Sequence, residues 1–138
     1  MKISLTLAAA AATIALSAGA ALAQDAGDAT RGEVVAKRCV ACHTFDKGGA
    51  NKVGPNLYGV TQRGVAALEG FNFSDGLKQA AESQPEWTEA QLLNYLADPT
   101  AWMRATLDDP KVRSKMTFKL ADEQQRRDVI AYMETLND

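Results

Sequence analysis

Cys39-Val40-Ala41-Cys42-His43 sets two thiols and an imidazole within five residues. The spacing is the c-type haem attachment pattern. It has a physical reason: thiols three positions apart can meet the two vinyl groups on one edge of a porphyrin as thioethers. The adjacent imidazole then falls beneath the ring, where its neutral form can bind iron from one side. Other chemistries of these residue types lack what they need. A thioredoxin-like dithiol needs a strand leading into a helix, which the flanking sequence does not supply. A zinc site needs a fourth ligand, and the chain holds two cysteines and one histidine in all. A disulfide between the two cysteines would leave the histidine idle.

Because His43 is the sole histidine, the opposite face of the iron must be taken by Met, by a weaker group, or left open. Met133 sits on an apolar helical stripe and Met103 follows Trp102 on a short helical segment, so both read as packing. Met116 lies in Lys115-Met116-Thr117-Phe118, a non-helical stretch whose extended backbone can aim a thioether while its neighbours point away. Met116 is therefore the expected second axial ligand. A His/Met haem has no open coordination site and an elevated potential, and such a centre passes electrons. An open iron would instead suit an enzyme or a gas or peroxide sensor. No second His, and no distal Arg or carboxylate evident from motif position, favours that alternative. A haem module working only as a docked subunit is the other alternative.

The elements that must position these groups read as helices joined by loops. Thr30 with Glu33 forms a capping box, followed by Val34, Val35, Ala36 and Cys39, which predicts a helix from about Gly32 to Cys39. Residues 46–64 hold five of the ten glycines and a Gly54-Pro55-Asn56 turn, and predict one long loop. A short helix is predicted over Ser74–Ala81. Thr88 with Gln91 is a second capping box, with Trp87 poised to staple onto Leu92, and starts a helix that stops before Pro99. A helical turn through Trp102 and Met103 precedes the polar stretch Asp108–Ser114. The last helix starts near Asp122, with Gln125 as capping partner, and buries Val129, Ile130, Tyr132, Met133 and Leu136. No convincing alternating strand is present. The expected class is all-α, a small single domain of four to five helices around one covalently bound haem.

The chain's 138 residues, 46% hydrophobic and 23% charged, exclude collagen-like, mucin-like and wholly disordered classes. Residues 1–23 hold one charge, Lys2, then an Ala-rich run ending Ala21-Leu22-Ala23, the pattern of a cleaved signal peptide. An uncleaved anchor would be richer in Leu and Ile. The expected mature domain is 24–138, beginning near Gln24 and exported. The formal net charge is −2, and loss of Lys2 makes the mature chain more acidic, which argues against a broad nucleic-acid footprint.

Together, the haem motif, Gly54-Pro55-Asn56-Leu57-Tyr58-Gly59, Trp87, Leu92-x-x-Tyr95-Leu96-x-x-Pro99, Lys115-Met116-Thr117-Phe118 and Asp128-Val129-Ile130-Ala131-Tyr132 follow one another in the order found in a known family. The chain resembles the class I c-type cytochromes, in the long bacterial branch close to mitochondrial cytochrome c. The resemblance covers residues 26–136. It implies that the Pro55 carbonyl accepts the second ring N–H of His43. It implies that Arg63 and Trp87 face the haem propionates and that Tyr95 approaches the Met116 sulfur. Gly32 would let the first helix cross the last near Tyr132. There are departures. Phe73 stands where many relatives carry a propionate-binding Tyr, Ala36 where a larger apolar residue is common, and 104–114 is an insertion expected to modify the rim near Met116.

These readings predict a monomeric electron shuttle of the periplasm carrying one haem c, with no catalytic residues of its own and no stable membrane insertion. It would take single electrons from a membrane quinol-oxidising cytochrome complex and deliver them to a reaction centre, an oxidase or a denitrification enzyme. Lys37, Arg38, Lys47, Lys52, Lys111, Arg113, Lys115 and Lys119 flank the haem motif or Met116, while Asp122, Glu123, Asp128, Glu134 and Asp138 gather at the last helix. A dipolar protein with a basic haem-edge face would dock acidic membrane-bound partners transiently.

Overall fold

The computed structural model describes residues 26–138. The expected leader, residues 1–23, and the start of the mature chain near Gln24 lie outside them. Among the described residues there are six helices and no strand: α1 Ala29–Ala36, α2 Val60–Arg63, α3 Asp75–Ser83, α4 Glu89–Ala97, α5 Pro99–Leu107 and α6 Glu123–Glu134. That is one more than expected, because a single turn, α2, forms inside the long loop. No helix among the described residues is long and apolar enough to cross a membrane.

Each main helix begins on a side-chain cap. Ser74 accepts from the Leu77 N–H, Thr88 and Gln91 form the reciprocal capping box, and Asp122 accepts from the Gln125 N–H. The first helix departs from expectation. Its cap is Asp28, which accepts from the Arg31 N–H, so α1 starts ahead of Thr30 and ends at Ala36 rather than Cys39. A carboxylate two residues upstream takes the capping role from the threonine. The helical turn at Trp102 is also longer than expected. Asp98 accepts from the Ala101 N–H and Pro99 takes the first helical position, where its missing N–H costs nothing, so α5 runs on to Leu107. It absorbs the first third of the 104–114 insertion and ends at Asp108 in the left-handed region, φ 49°.

Two contacts organise the molecule. α1 crosses α6 with the backbones nearly touching: a Cβ on Gly32 would lie 1.9 Å from Asp128 O and 2.8 Å from Tyr132 Cβ. Only glycine permits that approach. Arg31 locks the crossing, donating through Nε to Asp128 Oδ2 and through Nη2 to Oδ1, each at 2.8 Å, while the Asp28 N–H also reaches Oδ1. The buried Asp128 carboxyl is thereby held down at about 2. The second contact is the core between α3, α4, α5 and α6. Leu77, Ala80, Trp102 and Met103 form one cluster; Val60, Leu92, Ile130 and Met133 form another, and Trp87 packs against both.

Met103 and Met133 are buried in these clusters, as their positions predicted. Ala36 is buried with Leu120 and Val129, and the volume of a larger side chain is taken up by Phe45, Phe118 and Tyr132 packed around it. The Phe45 and Tyr132 rings sit 5.7 Å apart. Beside this contact an open surface pocket of about 350 Å³ is bordered by Ala36, Lys37, Val40, His43, Lys52 and Tyr132.

Candidate haem site

The chain after α1 continues in tight turns that place the attachment residues. Cys42 and His43 both donate their N–H to Cys39 O at 3.0 Å. Both thiols are free; Cys42 is exposed, and half-burial pushes the Cys39 thiol up. The long loop folds back beneath this turn. Gly54 N–H donates to Cys42 O at 2.8 Å, and Lys52 Nζ donates to Val40 O at 2.7 Å. The same loop is braced from within by Asn56, a buried side chain whose Nδ2 donates to Thr44 Oγ1 and Asp46 O.

This brings His43 against Gly54 and Pro55. The imidazole Nδ1 lies 2.7 Å from Pro55 O. A carbonyl oxygen can only accept, so Nδ1 carries the proton and Nε2 keeps its lone pair. Burial pushes the His43 pKa down, and the nearby Lys52 charge adds to this, so the ring is neutral at neutral pH. Gly54 supplies the space: a Cβ there would fall 2.3 Å from His43 Cε1. The imidazole is thus neutral, oriented and in the tautomer a metal needs.

Arg63, at the end of α2, donates through its two terminal nitrogens to Tyr58 O and Asn56 O, each at 2.5 Å. It has no carboxylate partner among the described residues, and burial pushes its pKa down. A half-buried cation beside neutral carbonyls suits an incoming carboxylate such as a haem propionate. Trp87, half-buried, stacks near Tyr95 and Trp102 with ring centroids 4.9 and 5.3 Å away. Burial pushes the Tyr95 phenol up, and a side-chain hydrogen bond with Ser114 opposes the shift. Ser114 in turn accepts the Met116 N–H at 3.1 Å.

Met116 lies in an extended segment in which Val112, Ser114, Met116, Phe118 and Leu120 are turned inward and Arg113, Lys115, Thr117 and Lys119 are exposed. Arg38, next to Cys39, reaches this segment: its guanidinium lies 5.4 Å from the Phe118 ring centroid and donates to Gln125. Sequence reasoning singled out neither Ser114 nor Gly54 as an individual residue. The apolar-charged alternation through 112–120 was the available signal for the first, and the Gly-Pro pair after a motif histidine for the second.

The two thiols, the oriented imidazole, the bare Gly54 and the half-buried Arg63, bonded only to carbonyls, all fit a covalently held haem. Among the described residues no group of three or more His, Cys, Asp or Glu forms an alternative metal site.

Known proteins of the same kind match along nearly all the described chain. A family model for cytochrome c matches residues 29–137. The chain is 48% identical to cytochrome c2 of Rhodospirillum rubrum over 125 residues, covering 91% of each. It is 51% identical to cytochrome c-550 of Novispirillum itersonii, over 80% of this chain and 99% of that one. Among solved structures, cytochrome c2 of Rhodospirillum centenum superposes with a TM-score of 0.76 at 40% identity, over 81% of this chain and 100% of the other. With the site geometry, these matches show that the chain belongs to the cytochrome c family as a class I c-type cytochrome, an electron carrier and not an enzyme, with one covalently attached haem c.

Proposed function

We propose that this cytochrome is a soluble, monomeric periplasmic shuttle whose haem is bound through Cys39 and Cys42 and ligated by His43 and Met116. In this reading residues 1–23 are a signal peptide. The observation that carries it is the hydrogen bond from His43 Nδ1 to Pro55 O, which leaves the Nε2 lone pair available to a metal beside two free thiols. The haem, when bound, supplies a reversible one-electron store at an elevated potential.

The chain's own residues do the rest. Pro55 fixes the imidazole and strengthens it as a ligand, Gly54 lets it lie close to the loop, and Arg63 neutralises propionate charge. Trp87 and Tyr95, packed on each other, would give the haem apolar surroundings and help exclude water. Met116, presented by an inward-facing extended segment, supplies the thioether. Small reorganisation on gaining or losing an electron follows from such rigid support.

Electrons would come from a membrane quinol-oxidising cytochrome complex and go to a reaction centre, an oxidase or a denitrification enzyme, by transient docking of the basic rim on acidic surfaces. Exposed Lys37, Lys111 and Arg113 support that rim. Lys47 and Lys119 contribute less, because Asp138 and Asp98 already pair with them.

Visible absorption of the purified protein, oxidised and reduced, tests the ligation. The oxidised form should carry the weak near-red sulfur-to-iron band, and Met116→Ala should abolish it. A wild type that lacks the band and binds carbon monoxide readily would instead point to an open iron.

A further inference from the structure

The extended segment before Met116 has no sheet partner, so its backbone groups must be satisfied by other elements. Helix α5 does much of this. Arg104 Nε donates to Val112 O at 3.1 Å, and Thr100 Oγ1 accepts the Ser114 N–H at 3.1 Å. Thr100 and Arg104 are four residues apart and therefore share one face of α5. The helix grips the segment at two points.

Other elements close the frame. Lys115 Nζ donates to Asn72 O, and Val112 packs against α3 so closely that a Cβ on Gly76 would lie 2.6 Å from Val112 Cγ2. The expected insertion is thus a braced arch. Thr100 is the grip that leads to Met116 itself. Its hydroxyl takes the Ser114 N–H, and the Ser114 hydroxyl takes the Met116 N–H, so two successive hydrogen bonds join α5 to the backbone of Met116. Thr100 is itself well fixed, standing between Pro99, whose ring sets the first helical φ, and Ala101, whose N–H is held by the Asp98 cap.

We propose that Thr100 is a positioning residue for the Met116 thioether: by holding Ser114 it fixes the backbone from which Met116 reaches the iron, and so resists displacement of sulfur by other ligands. The proposal rests on the reading of Met116 as axial ligand. A ligand presented by a preorganised backbone loses less freedom on binding than one on a loose loop, and a competitor must overcome that advantage.

The test uses the full haem-loaded protein and imidazole as the competing ligand, titrated against the oxidised form and followed by loss of the near-red band. Thr100→Val keeps the shape and removes the acceptor. It should retain the band but bind imidazole roughly three- to tenfold more tightly, the range of one ordinary hydrogen bond. Thr100→Ser should return to the wild-type affinity. Thr100→Ala, measured beside them, gives the same information if the valine variant folds poorly.

Unchanged imidazole affinity in the Val and Ala variants overturns the proposal. So does a lower denaturation midpoint with unchanged affinity, which would make Thr100 a general stabiliser of the fold, and so does a Ser variant that behaves like Val. Failure of the ligand assignment has a different signature, a near-red band that survives Met116→Ala.

Discussion

The imidazole of His43 lies flat against the backbone of Gly54, with room for a hydrogen atom and nothing larger between them; a Cβ would meet Cε1, Nδ1 and Nε2 at 2.3 to 2.8 Å. Gly54→Ala must therefore move the ring, and the ring cannot move without straining its bond to Pro55 O. The variant should lose about 1–3 kcal/mol, the cost of an unpaired buried donor. Guanidinium unfolding followed at the haem absorption would measure it, and an unchanged midpoint would show that the loop yields instead.

A second glycine makes a comparable prediction at the other end of the fold. At Gly32 the obstacle is Asp128 O, part of a helix backbone that cannot swing aside. Gly32→Ala should push α1 off α6 and cost about 1–3 kcal/mol or more, as overpacked contacts do. Gly48, where a Cβ would meet nothing, shows φ 69°, so an alanine there strains only its own backbone. Circular dichroism melts of the two variants should separate these causes.

The Asp128 carboxyl links stability to pH. Its pKa is about 2 in the folded chain against an ordinary 3.8, mainly because Arg31 hydrogen-bonds the charged form. The charged form favours folding, so the contribution is complete above about pH 4 and is lost as pH falls through 2. With Arg31 half-exposed and screened by water, it is worth about 1–2 kcal/mol. Asp128→Asn should be less stable at pH 7 by that amount, and the gap to wild type should narrow as the pH falls from 4 towards 2. Denaturant midpoints at pH 7, 4 and 3 suffice to check it.

Docking should depend on charges that the fold leaves available. Replacing both Lys111 and Arg113 by Gln should slow association with a membrane-bound partner about two- to fivefold at low salt and change little at high salt. Lys119→Gln should matter less, since Asp98 lies 2.6 Å from its ammonium. Stopped-flow electron transfer across a salt series distinguishes them, and rates that fail to fall as salt rises would remove the electrostatic account.

The capping boxes made most of the fold legible. Thr88 with Gln91 and Asp122 with Gln125 announced α4 and α6 because a cap is a local event that a few residues decide. Where two caps compete, local reading fails, as at α1: Thr30 had the better motif, but Asp28 also has its N–H bound to Asp128, a hundred residues away. The haem motif was legible for the same local reason. Its Pro55 support followed from the resemblance, but the role of Ser114 did not, since it depends on Thr100 from α5 and Tyr95 from α4. The acidic pole expected on the last helix is weaker than its composition implied. Asp128, Glu123 and Asp138 each face a cation of the chain itself.

The crossing of α1 and α6 bears on how the protein is made. Helix α1 has eight residues, too few to persist alone in water, and its partner is the last helix of the chain. During synthesis, α1 therefore has nothing to fold against until residue 128 and its neighbours arrive. The two cysteines that follow α1 are held by the nearby loop, through Gly54 to Cys42 O and Lys52 to Val40 O, while the helix before them waits for α6. The close approach at Gly32 therefore joins the two ends of the described chain, and it forms only when both are present.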